Sequence, residues 1–281
     1  MGARLWGLIL AFSCSSFAIT IGGVANYRDV EYSRANGVPL TLDAAVPRAA
    51  GLLPAVIIVH GGAWVRGDRI VDVQPLFEPL TQAGFAWFSI SYRLMSQISQ
   101  FGAAIQDVQA AIRFVKSHAT QYRIDPAKVA LVGESAGGQL AAMAALSQQP
   151  DLRVRAVVAL YTPTDLVSLA ENSTFVPRWV HDTLQSGAFA RMLAARLKQL
   201  SPIDNVRRDM PPFLFIHGTA DPLVPFAQSQ SMCRAMKTAG ANCELYAVQG
   251  AGHGIRWWSP ELSEGYQREM IRWLREELSY I

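Results

Sequence analysis

One segment constrains the fold of this chain more than any other: Val129-Ala130-Leu131-Val132-Gly133-Glu134-Ser135-Ala136-Gly137-Gly138. A short apolar run leads into a serine with a glycine two residues to either side, and the helix-forming run Gln139 to Leu146 follows. That order describes a strand turning sharply into a helix. The glycines permit the tight bend and let neighbouring backbone come close, so the serine hydroxyl is held proud of the sheet. Ser135 is therefore the first candidate nucleophile.

The chain around it alternates strand and helix. Leu53 to His60 is a continuous β-branched run, the pattern of a strand buried on both faces. Phe85 to Tyr92, Val154 to Tyr161, Phe213 to His217 and Cys243 to Val248 read as further buried strands. Between them, Gln74 to Ala83 should be a short helix beginning near Pro75, and Gly102 to Ala119 carries Ile105, Val108, Ala111, Ile112 and Val115 at helical spacing. Asp125-Pro126 should stop that helix. Phe226 to Ala239 and an amphipathic Pro260 to Leu278 complete the set. Tyr27 to Ser33 and Val38 to Val46 flank Asn36-Gly37, a dipeptide suited to a tight turn, and should form an edge hairpin. The expected architecture is α/β: a mostly parallel central sheet with helices on both faces. One stretch, about residues 165–205, breaks the alternation with two helical pieces, Trp179 to Leu184 and Phe189 to Leu200. Lying between two strands, it should cover their carboxyl ends as a small helical lid, where ligands bind in open α/β sheets. Asp165 and Asp204 should cap its helices.

Composition narrows the class. With 281 residues, 51% hydrophobic and 17% charged, the chain is too apolar to be disordered and suits one large domain. Its net charge of +3 is scattered, and Arg207-Arg208 is followed at once by Asp209, which is no nucleic-acid footprint. At the start, Arg4, the apolar run Leu5 to Phe12 and the small residues up to Ala18 resemble a secretory signal peptide, too short to span a bilayer stably. The division expected is a leader over 1–18 and a catalytic domain over 19–281 in an exported protein. Removing the leader takes Cys14 with it and leaves Cys233 and Cys243. In an exported chain that pair should form a disulfide, with two buried thiols as the alternative.

Three further features converge on Ser135. His60-Gly61-Gly62-Ala63-Trp64 follows a central strand, and such a loop can turn backbone N–H groups toward a ligand. Gly62, Ala63 and Ala136 are the expected oxyanion-hole donors. Asp221 and His253 each follow a later strand, in the order Ser, Asp, His. His253 would take the Ser135 proton and Asp221 would fix its tautomer. Trp64 and Glu134 are the candidate substrate-binding residues: Trp64 should wall the acyl side, while Glu134, unable to point with Ser135, has the alternative job of anchoring the elbow and the His60 loop from behind. Phe175, Trp179 and Phe189 would add aromatic walls from the lid. His60 and His217 should pack or bond to loops, and His118 and His181 should be solvated or structural. The chain lacks H-E-x-x-H or C-x-x-C ligand spacing, so neither metal nor other cofactor is expected.

Together with Ser91-Tyr92-Arg93-Leu94, Pro163-Thr164-Asp165-Leu166 and His217-Gly218-Thr219-Ala220-Asp221-Pro222, these motifs make the chain resemble the α/β-hydrolase superfamily from Tyr27 to the C-terminus. Within it, the chain is similar to the carboxylesterases related to hormone-sensitive lipase and to the feruloyl-esterase-like hydrolases. The resemblance implies a serine esterase acting on small esters with short acyl or aromatic groups. Ala63 departs from the third glycine of many hormone-sensitive-lipase relatives, which weakens any link to tertiary-alcohol esters. An arylformamidase-like or peptidase-like amide hydrolase is the alternative within enzymes. A non-catalytic binding module of the same fold would ordinarily have a degraded triad, and here all three members are present.

Overall fold

The computed structural model describes residues 19–95, 101–172 and 187–279. Among these, nine strands form one sheet: β1 (Ile19–Ile21), β2 (Val24–Ala35), β3 (Val38–Pro47), β4 (Leu53–Val59), β5 (Ala86–Ile90), β6 (Ile124–Glu134), β7 (Ala156–Leu160), β8 (Phe213–Gly218) and β9 (Cys243–Val248). Their order across the sheet is β1-β2-β3-β5-β4-β6-β7-β8-β9. The first three strands and the β3/β5 pair run antiparallel; from β5 through β4 to β9 every pair is parallel.

The apolar run of β4 shows why a central strand needs no polar alternation. Ala55, Ile57 and Val59 face one core, shared with α2 (Phe101–Ser117), α4 (Ala136–Ala145) and α7 (Ala227–Thr238). Val56 and Ile58 face the other, shared with α1 (Phe77–Gln82) and α8 (Pro260–Ser279). Both faces being dry, each buried Ile contributes about 1.5–3 kcal/mol of transfer free energy. No helix among the described residues is long and apolar enough to cross a membrane.

Three expectations need correction. The hairpin forms at Asn36-Gly37, both at positive φ, but β1 lies outside β2 and takes the sheet edge. Asp125-Pro126 does not stop a helix: the short α3 (Ala119–Tyr122) ends at Arg123 in the left-handed conformation, and Asp125 already belongs to β6, where its carboxylate accepts the Ala127 N–H. Between β7 and β8 stand α5 (Leu166–Asn172), which the sequence reading lacked, and α6 (Gly187–Leu200). Asp165 caps α5 by accepting the Ser168 N–H at 2.9 Å. Asp204 makes no such cap; it lies within a 3-10 turn, Pro202–Asn205, whose preceding residue Ser201 instead accepts the Leu166 N–H. The expected helix Trp179 to Leu184, with Phe175 and His181, lies outside the described residues.

Candidate active site

Ser135 occupies the turn between β6 and α4 with φ 51° and ψ −122°, a conformation that a side chain rarely adopts. Its backbone is held on both sides: its N–H donates to Leu160 O at 2.9 Å and its carbonyl accepts the Gln139 N–H. Close packing explains the glycines. A Cβ on Gly137 would come within 2.2 Å of His60 O, and one on Gly133 within 2.5 Å of Gly137 O.

The elbow brings Ser135 to the other two candidates. His253 Nε2 stands 2.9 Å from Ser135 Oγ, and His253 Nδ1 stands 2.7 Å from Asp221 Oδ2. The other Asp221 oxygen accepts the N–H groups of Leu223 and Val224 at 2.8 and 2.9 Å. Burial pushes the Asp221 carboxyl up, but hydrogen bonds from His217 and His253, the His253 charge and the Val224 N–H outweigh it and hold the group well below the ordinary carboxylate range. An ionised Asp221 draws the Nδ1 proton of His253 toward itself, which leaves Nε2 bare and aimed at the Ser135 hydroxyl. His217 is buried behind this pair. It faces Ser229 Oγ at 2.7 Å, Val224 O at 2.9 Å and Asp221 Oδ2 at 3.4 Å, so it braces the aspartate as well as its loop.

The loop after β4 passes close over Ser135, since a Cβ on Gly61 would stand 3.3 Å from Ser135 Cβ. Gly62, Ala63 and Trp64 all have positive φ, and Gly62 O closes the turn by accepting the Val65 and Arg66 N–H groups. The N–H groups of Gly62, Ala63 and Ala136 donate to no hydrogen bond among the described residues, leaving three donors beside Ser135. His60 supports the loop: its Nδ1 lies 2.8 Å from Gly61 O and its ring stacks on Tyr92. Tyr92 in turn donates to His60 O and Gly61 O. His118 stacks on Phe114 and bonds to its carbonyl, a structural role.

Glu134 takes the anchoring role, though it also borders the cavity. Its Oε1 accepts the Gly61 N–H at 3.2 Å and its Oε2 accepts the Tyr161 hydroxyl. Burial pushes its pKa up against the lowering by these two bonds. Tyr161 is a residue that the sequence reading missed. A signal existed: a glutamate just past the apolar run Val129 to Val132 needs a buried partner, and Tyr161 directly follows the neighbouring strand β7. Gln139 was missed as well; its Oε1 accepts the Trp64 indole N–H at 3.0 Å and its amide donates to Leu200 O.

A cavity of about 550 Å³ opens over Ser135. Its apolar lining comes from Trp64, Pro163, Leu169, Leu223 and Val224 among others, and its charged lining from Arg66, Asp72, Glu134 and Arg256. Phe189 lies elsewhere, 61% exposed and outside the lining, so its expected part as an aromatic wall is not met. Phe175 and Trp179 are outside the described residues.

The sequence profile of the BD-FAE family matches residues 42–236. The chain belongs to the BD-FAE family. As a BD-FAE member it is similar to the esterase LipQ of Mycobacterium tuberculosis, with 34% identity over 212 residues, 71% of this chain and 49% of the relative. The chain spans about half the length of the curated relatives it matches, since LipM and LipC of the same organism are covered to 52% and 53%. Among solved structures, a truncated form of a carbohydrate esterase from gut microbiota superposes with a TM-score of 0.74 at 28% identity, over 95% of this chain and 99% of that one. A propionate-bound esterase, Est2 of Thermogutta terrifontis, gives a TM-score of 0.73 at 26% identity, over 89% of this chain and 94% of that one. These likenesses agree with the α/β-hydrolase fold expected of the sequence.

Proposed function

We propose that this BD-FAE member is a serine carboxylesterase that cleaves esters of short acyl or aromatic groups through an acyl-enzyme. The observation that carries the reading is the unbroken chain Ser135 Oγ, His253 and Asp221 beside three undonated backbone N–H groups. His253 Nε2 takes the Ser135 proton as Oγ attacks the ester carbonyl carbon. The negative charge that develops on the carbonyl oxygen is met by the N–H groups of Gly62, Ala63 and Ala136, one such donor being worth about 10²–10³ in rate. The tetrahedral intermediate collapses, the bond to the alcohol breaks, and the His253 proton leaves with the alcohol. Water, deprotonated by the same His253, then attacks the acyl carbon, the bond to Ser135 Oγ breaks to release the acid, and His253 returns the proton to Ser135 Oγ.

The esterase names of the relatives support ester over amide chemistry, and the propionate-bound neighbour supports a short acyl group. The position of α5, whose Leu169 borders the cavity, supports the reading of the segment after β7 as a lid. Export rests on the leader-like residues 1–18 and on the Cys233–Cys243 bond in the structure. N-terminal sequencing of exported material tests it, and a mature chain beginning at Met1 would refute it. The esterase reading is tested by labelling with a fluorophosphonate and by turnover of p-nitrophenyl acetate. The wild type should label and turn over, and Ser135→Ala should do neither. Retained activity in a pure Ser135→Ala preparation would overturn it.

A further inference from the structure

The charged part of the cavity lining is concentrated on two connected segments. Arg256 Nη1 reaches Asp72 Oδ1 at 3.0 Å and ties the turn Ile255–Trp257 to the loop that carries Arg66. The acids of that loop are occupied. Asp72 Oδ2 accepts the Asp68 N–H at 2.8 Å, and Asp68 Oδ1 holds the N–H groups of Ile70 and Val71. Glu134, the other carboxylate on the lining, has both oxygens bonded to Gly61 and Tyr161. Arg69, the nearby cation, is turned to Asp29 and Asp43. Arg66 differs from all of these: it is exposed, it lines the cavity, and among the described residues its side chain makes no ion pair or hydrogen bond. Trp257 lines the same cavity, 79% exposed, with the Arg256 guanidinium 5.6 Å from its ring centroid.

The chemistry fixes which part of an ester would meet these groups. His253 must hand its proton to the departing oxygen, so the alcohol leaves on the His253 side. The chain continues from His253 into Gly254, Arg256 and Trp257, all on the lining, and the Arg256–Asp72 ion pair joins them to the loop that carries Arg66. We propose that this side of the cavity selects esters whose leaving alcohol carries a fixed negative charge, with Arg66 as the specificity-determining residue, Arg256 as its support and Trp257 as a flat wall for a planar ring. The proposal rests on the serine-esterase reading above and deepens it. A lone cation of this kind attracts an anionic substrate most at low ionic strength, because exposed charges are screened within about 10 Å at 0.1 M salt.

The test compares two acetate esters with one acyl group: 4-acetoxybenzoate, whose leaving phenol is anionic, and its neutral methyl ester. Their intrinsic reactivities differ, but that difference cancels when the ratio of their kcat/KM values is compared between variants. At low salt, Arg66→Gln should lower the anionic-to-neutral ratio about threefold, as expected for one partly exposed ion pair, and Arg66→Glu should lower it further. Arg66→Lys should keep most of it. In the wild type, raising salt to about 0.5 M should lower the ratio without any substitution. The same ratio in wild type, Arg66→Gln and Arg66→Glu would overturn the proposal while leaving the esterase reading intact. Failure of the wild type to hydrolyse either ester, or turnover undiminished in Ser135→Ala, would overturn both.

Discussion

The Tyr161 hydroxyl donates to Glu134 Oε2 and at the same time accepts the Ile255 N–H at 3.2 Å. Glu134 precedes Ser135, its other oxygen holds the Gly61 N–H, and Ile255 follows His253 by two residues. The edge of the Tyr161 ring also meets the His253 ring, with centroids 4.7 Å apart. One buried phenol thus joins the elbow of Ser135, the loop that runs from Gly61 to Trp64 and the loop that carries His253.

Tyr161→Phe removes the hydroxyl and keeps the ring. It leaves a buried carboxylate oxygen and a buried N–H without their partner, which should lower stability by about 1–3 kcal/mol. Because both loops lose a common tether, kcat should fall about tenfold with KM little changed. Glu134→Gln added to Tyr161→Phe should cost less than the two separate losses combined, since the groups share one bond. A Tyr161→Phe enzyme with wild-type kcat would remove Tyr161 from any positioning role.

The raised pKa of Glu134 makes a claim about stability against pH. An acid whose pKa is higher folded than unfolded binds its proton more tightly in the native state, so stability falls as pH rises from about 4.3 toward the folded value, and the loss then stays constant. Glu134→Gln has no proton to lose there. The difference in Tm between the variant and the wild type should therefore shift in the variant's favour between pH 4 and pH 8. Asp221, held low, acts in a separate window: its contribution is present above about pH 4 and is lost as pH falls below that. A Tm difference independent of pH would refute the Glu134 assignment.

Cys233 on α7 and Cys243 at the start of β9 have Cα atoms 5.4 Å apart and are bonded in the structure across a separation of 10 residues. Closing so short a loop should contribute about 2–3 kcal/mol by restricting the unfolded chain. Purified under oxidising conditions, the protein should have a mass two hydrogens below the reduced form, and reduction should lower Tm. Two free thiols in oxidised material would refute the bond.

Most of the frame was legible because its signals are local. The β-branched run of β4 and the apolar run Val129 to Val132 of β6 are dry on both faces, and only a central strand accepts that. Ser135, Asp221 and His253 were readable from strand ends and order, and the structure brings them together. What the sequence reading lacked depends on contacts between distant segments. The periodicity of α6 says that one face is buried, yet it left Phe189 to be found on the exposed face. Seven residues of α5 are too few for a periodic pattern to stand out. The Tyr161–Glu134 bond joins residues 27 apart, and nothing in either neighbourhood alone fixes the pairing.

Trp64 makes the last prediction. Its indole N–H is fixed on Gln139 of α4, while its ring packs against the apolar cluster of Met95, Leu166 and Leu197, so the ring stands between the body of the domain and α5 and α6. It also follows the donors Gly62 and Ala63 directly and lines the cavity. A rigid aromatic in that place closes off space that a long acyl chain would need. The wild type should therefore prefer acetyl to hexanoyl p-nitrophenyl esters over esters of about twelve carbons or more. Trp64→Ala should move the optimum toward longer chains, and it should cost some stability because the cluster loses a partner. Trp64→Phe keeps a flat wall and loses the bond to Gln139, so its optimum should stay short. A chain-length series on the three proteins decides the matter. A long-chain optimum in the wild type, or equal optima in wild type and Trp64→Ala, would remove Trp64 as the acyl wall and leave the Ser135–His253–Asp221 geometry untouched.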